Sequence, residues 1–96
     1  MVTLRYAYTD TGADVSVQAD LPSLTLGEYQ VFIRQPNAKQ VQLATRLQEV
    51  KGGFIGSFAL PKTLLPIEVL ISSEKRFDGV MEQKIFFGLL PAESTR

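Results

Sequence analysis

Asp14-Val15-Ser16-Val17-Gln18-Ala19-Asp20 is the stretch whose reading decides the fold class. Val15, Val17 and Ala19 alternate with Asp14, Ser16, Gln18 and Asp20. A β-strand sends successive side chains to opposite faces, so this pattern buries one face and leaves the other in water. Val2 to Tyr8 repeats the period, with Val2, Leu4, Tyr6 and Tyr8 on one side and Thr3, Arg5 and Ala7 on the other. Between the two runs lies Thr9-Asp10-Thr11-Gly12-Ala13. Its Asp supplies a side-chain acceptor and its Gly a permissive backbone, so the two strands are expected to form a hairpin.

The same rhythm continues toward the C-terminus. Leu21-Pro22-Ser23 breaks the second run, and Tyr29 to Gln35 gives a third strand that ends at Pro36-Asn37. Beyond Gly52-Gly53, Phe54, Phe58 and Leu60 share a face, with Ile55, Ser57 and Ala59 opposite and Pro61 as the stop. Pro66 opens a strand from Ile67 to Ser72, a polar connection runs from Ser73 to Asp78-Gly79, and Val80 to Phe87 is read as the last strand.

Residues 38–50 admit two readings. Asn37 and Gln40 suit an N-cap and its capping-box partner, Leu43, Leu47 and Val50 recur at helical spacing, and Gly52-Gly53 suits a stop. Yet Gln40 to Gln48 also alternates, and its neighbours on both sides are strands. Local propensity is readily overridden by such context. The predicted fold is therefore all-β, a six- to seven-stranded immunoglobulin-like sandwich with turn signals every roughly 8–12 residues. It becomes α+β if residues 38–50 are helical. Residues 1–88 form the single domain in this reading, and 89–96 a C-terminal tail. The expected core holds Val15, Val17, Val31, Ile33, Phe54, Phe58, Val69 and Ile71.

Composition narrows the function classes. The 96 residues carry ten basic and ten acidic side chains, so no net positive field exists to hold nucleic acid. A neutral chain has little self-repulsion, which leaves homo-oligomerisation open. There is no cysteine and no histidine. That removes thiol chemistry, the commonest general base and the commonest transition-metal ligand. No run approaches the ~20 apolar residues of a membrane span. Neither a cofactor nor a metal is expected.

Asp10-Thr11-Gly12-Ala13-Asp14-Val15-Ser16-Val17 resembles the catalytic segment of retroviral-type aspartic proteases, in which two subunits each supply one Asp of a proton-sharing pair. Gly52-Gly53-Phe54-Ile55-Gly56 and Phe86-Phe87-Gly88 extend that likeness. The rest of the chain departs from it. Only nine residues precede Asp10, the polar pair Tyr8-Thr9 stands where the family is apolar, and Leu89-Leu90-Pro91 follows the late glycine. A hairpin turn is the reading adopted, with a dimeric protease using Asp10 as the catalytic alternative. Asp10, Asp14 and Asp20 lack the spacing of an EF-hand loop and are read as solvated residues. Met1 and Met81 alone make a poor soft-metal site.

Tyr6, Tyr8 and Tyr29 are expected to pack in the core rather than form a binding face. Phe77 and Arg76, in the polar stretch Glu74-Lys75-Arg76-Phe77-Asp78-Gly79, are the binding candidates, because an apolar loop residue is a common anchor.

Three further runs carry a broader likeness. They are Tyr29 to Pro36, Gly52-Gly53-Phe54-Ile55-Gly56-Ser57-Phe58-Ala59-Leu60-Pro61, and Ile67-Glu68-Val69-Leu70-Ile71. Together they resemble the extracytoplasmic β-sandwich of the FixH family, accessory proteins for assembly of haem–copper oxidases. Gln35-Pro36 stands where that family tends to have His-Pro. The resemblance then implies an accessory or interaction sandwich facing away from the cytoplasm, working through a protein partner rather than through copper. A structural subunit of a surface or viral assembly, presenting an edge strand to its neighbour, is a further expectation.

Overall fold

The computed structural model describes residues 1–24, 27–73 and 85–92. Within them lie eight strands: β1 (Val2–Tyr8), β2 (Gly12–Ala19), β3 (Gln30–Arg34), β4 (Gln42–Arg46), β5 (Gln48–Val50), β6 (Gly53–Pro61), β7 (Ile67–Ser72) and β8 (Phe86–Leu90). One turn of 3-10 helix spans Lys62–Leu64. Two four-stranded antiparallel sheets pack together, ordered β1-β2-β6-β5 and β4-β3-β7-β8. The fold is an all-β sandwich.

The alternating strand quoted first sits at the centre of this arrangement. β2 pairs with β1 on one side and β6 on the other, and Ala13, Val15, Val17 and Ala19 are all buried. They meet Val31, Ile33, Ile67, Val69, Ile71 and Leu90 from the opposite sheet in one cluster. Each Val or Ile so buried contributes roughly 1.5–3 kcal/mol of transfer free energy. Phe58 was expected in the core but is half-buried. β5 pairs with β6 only at Gly53, Phe54 and Ile55, so Phe58 has a strand on one flank alone. Phe32 and Leu70 point away from the inter-sheet core yet are fully buried, so the centre of the second sheet is dry on both faces.

Residues 38–50 are not helical. They form two strands, which raises the count from the expected six or seven to eight. β4 lies beside β3 in one sheet, and β5 lies beside β6 in the other. Leu47 between them is buried, and its N–H donates to Tyr29 O at 2.9 Å. The β3–β4 register shifts between Val31 and Phe32, so Ala44 is an extra residue between Leu43 and Thr45. That bulge inverts the local alternation. Ala44 packs toward the core while Leu43 stays exposed.

The C-terminal boundary also moves. β8 runs to Leu90, whose side chain is fully buried, so the tail expected from residue 89 starts inside the last strand. Gly88 and Pro91 suggested an end, but Pro91 is the stop and Gly88 lies within the strand. Residues 80–84 of the expected last strand lie outside the described residues.

Candidate interaction edge

Asp10 and Thr11 are the two central residues of the β1–β2 hairpin. Thr9 N–H donates to Gly12 O at 2.8 Å, and Gly12 N–H to Thr9 Oγ1 at 3.1 Å. Asp10 is exposed at the tip. The glycine of the Asp-Thr-Gly motif has its own local cause. A Cβ on Gly12 would stand 1.7 Å from Leu60 O, because β2 and β6 backbones meet there. Asp14 in β2 and Asp20 just past its end are exposed and six residues apart, roughly 20 Å at strand rise. Tyr29 is a core residue, ring-packed on Phe54 at 4.9 Å with its hydroxyl donating to Pro22 O at 2.6 Å. Arg76 and Phe77, the binding candidates of the sequence, lie outside the described residues, as does Met81.

What the structure adds is an edge. β1 pairs with β2 in unbroken register from Val2↔Ala19 to Tyr8↔Ala13. Met1 N–H and Asp20 N–H bond each other's carbonyls at one end, and Thr9 and Gly12 do so at the other. Antiparallel ladders alternate hydrogen-bonded and non-bonded pairs. Thr3, Arg5 and Ala7 therefore turn their backbone groups toward β2. Val2, Leu4 and Tyr6 turn theirs outward, where no described strand pairs with them. The strand is seven residues long, without proline and without a bulge. Edges of that kind are templates for another strand unless something guards them.

β1 does not stand alone on its side. Tyr8 Oη donates to Pro91 O, just past β8, at 2.8 Å. Tyr6, ring-packed edge-on against Tyr8 at 5.6 Å, is 42% exposed although it points toward the core face of its sheet. Leu89 of β8 is 55% exposed. The exposed part of the Tyr6 ring thus lies beside a row of outward backbone groups.

The outer face of the same sheet is polar. An open groove of about 500 Å³ is lined by Thr3, Arg5, Ser16, Ser57, Thr45 and Arg46, among others, and among the described residues no carboxylate lines it. Arg46 pairs with Glu28 at 2.8 Å. Among the described residues Arg5 has no ion pair. It lies at the middle of the β1 edge, directly across from Ser16. Sequence reading passed over Arg5 because a lone arginine in an alternating strand looks like an ordinary wet position. Its significance comes from which side of β1 is unpaired, and that depends on strand order.

No family model, curated protein or solved structure matches the chain. Among the described residues no helix is long and apolar enough to cross a membrane.

Proposed function

We propose that this domain is a non-catalytic interaction module that works by protein contact, receiving an extended segment of a partner as a further strand on β1. The observation that carries the reading is the row of outward N–H and C=O groups at Val2, Leu4 and Tyr6 on a straight seven-residue edge. Main-chain hydrogen bonds supply affinity in such strand addition, and alternate side chains supply specificity. The strand orders β1-β2-β6-β5 and β4-β3-β7-β8 support an immunoglobulin-like topology, with β4 added beside the third strand. The resemblance to the FixH family points the same way, toward an accessory domain acting by contact.

Amide hydrogen exchange tests the reading. In the isolated protein the amides of Thr3, Arg5 and Ala7 are expected to be protected, and those of Leu4 and Tyr6 to exchange fast. Adding a nine-residue peptide of alternating valine and threonine at millimolar concentration should slow the Leu4 and Tyr6 amides. If those two are already as protected as Arg5 without peptide, the edge is covered in the free protein and the proposal fails.

A further inference from the structure

The geometry points to the chemistry of the added strand: we infer that it carries an acidic residue opposite Arg5, flanked on both sides by apolar residues. This rests on the strand-addition reading and names its partner class. The flanking pattern follows from the ladder. Because Leu4 and Tyr6 present their backbone groups outward, an antiparallel partner strand makes its hydrogen-bonded pairs with them. Its residue opposite Arg5 then falls in a non-hydrogen-bonded pair, the closer of the two kinds, with side chains on the outer face. The residues on either side of it, opposite Leu4 and Tyr6, point to the inner face. There they meet half-buried Leu4 and the exposed part of Tyr6.

Charge selects what stands opposite Arg5. Of the two grooves that Arg5 lines, one holds a second guanidinium, Arg46, and no carboxylate among the described residues, and the other is shared with Asp14. Asp14 is the nearest acid by register, two pairs further along β2 and diagonal to Arg5 on the same face, and it makes no ion pair with Arg5 within 4.0 Å. A partner carboxylate in the opposing position completes a cross-strand ion pair that the domain itself leaves open. The same placement disfavours a second copy of this chain in the central register. A two-fold axis that pairs Leu4 with the copy's Tyr6 sets the two Arg5 side chains directly against each other, and like charges so placed repel. The inner flanks favour apolar side chains because Tyr6 already offers exposed ring surface beside the core.

The test uses three peptides, Lys-Thr-Val-X-Val-Thr-Lys with X as glutamate, glutamine or lysine. Each is titrated into the ¹⁵N-labelled protein and into its Arg5→Glu and Tyr6→Pro variants. Tyr6 N–H faces outward, so proline at that position removes no bond to β2 while blocking the edge. With the wild type, the glutamate peptide is expected to shift the Leu4 and Tyr6 amides. It should bind about tenfold more tightly than the lysine peptide, with glutamine between them, a ratio in keeping with one cross-strand charge pair and one charge repulsion. Arg5→Glu should invert the order, and Tyr6→Pro should abolish all three titrations. Equal binding of the three peptides overturns the acidic-partner inference and leaves strand addition standing. Binding that survives Tyr6→Pro overturns strand addition and the inference with it. A wild-type dimer by sedimentation that Tyr6→Pro dissolves makes a second copy the occupant, and overturns the acidic partner.

Discussion

On one long side of the sandwich the chain ties its own sheets together, passing from β4 to β5 through buried Leu47. On the other, β1 and β8 end their sheets among the described residues and are strapped by a hydrogen bond from Tyr8 Oη to Pro91 O. The tied side has short edges, five residues in β4 with a bulge at Ala44 and three in β5. The open side has the seven-residue β1 in perfect register. Short, bulged edges resist adding strands and long straight ones invite it. The difference is what puts the proposed strand addition on β1. It also teaches where mutations hurt, because the tied side carries the buried crossover Leu47, whereas β1 on the open side contributes only half-buried side chains to the core.

Leu47→Ala should have the largest effect. Leu47 is 5% exposed and sits at the point where the chain changes sheets. Truncating a buried leucine costs about 3 kcal/mol. A urea unfolding curve should show the midpoint falling with little change in slope. A loss under ~1 kcal/mol would mean the crossover is not packed as a core element, and the contrast between the two sides would dissolve.

A matched pair of glycines sharpens the same contrast. A Cβ on Gly56 would meet Leu47 Cδ2 at 2.9 Å and Arg46 O at 3.2 Å, both part of the tied side. One on Gly88 would meet Phe86 Cε2 and Cζ at 2.9 Å, a half-buried ring on its own strand near the open side. A buried leucine and a backbone carbonyl have little room to yield, whereas the Phe86 ring is only half-buried and is the far end of a side chain. Gly56→Ala is expected to cost about 2 kcal/mol and Gly88→Ala under ~1 kcal/mol. The reverse order, read from the same unfolding curves, would place the rigid packing on the wrong side.

Much of this was legible beforehand. The β1–β2 hairpin, the strand Ile67–Ser72 and seven of the eight named core residues follow from period-two patterning and turn residues. Asn37 also behaves as its type suggests. It takes φ of 71° after Pro36, and Ala38 N–H closes the turn on Gln35 O at 3.0 Å. What failed was long-range. Gln40 to Gln48 alternates as one strand would, but nothing local says that Leu47 leaves one sheet for the other or that Ala44 bulges. Leu89-Leu90 reads as tail beside Gly88 and Pro91, because only β7 as a neighbour makes it a strand. Arg5 stayed invisible as a site for the same reason: its exposed edge is a property of sheet order, not of the residues around it.

Tyr8→Phe probes the strap. The hydroxyl bond to Pro91 O is solvent-exposed, so its loss should cost about 0.5 kcal/mol. The ring stays and still packs edge-on with Tyr6. The informative readout is hydrogen exchange at Leu90 and Leu89. If the strap ties β8 to β1, those amides exchange faster in the variant while β2 and β6 amides keep their protection. Uniform change across both sheets would mean that the two edges are held by packing and that the strap contributes nothing local.

Arg5→Ala should have the smallest effect on stability and is the most direct check that the open side is open. Arg5 is exposed, stands across from the neutral Ser16, and makes no ion pair among the described residues. Arg34 on the central strand β3 is the natural control, since it pairs with Glu68 directly across on β7 at 2.8 Å. Removing an exposed side chain that makes no ion pair should change stability by less than ~0.5 kcal/mol. Arg34→Ala, which leaves a part-buried carboxylate unpaired, should cost about 1–2 kcal/mol. If Arg5→Ala instead costs as much as Arg34→Ala, then Arg5 is already engaged in the free protein. The groove would then be part of the domain's own packing, and the charge opposite β1 would not be reserved for a partner.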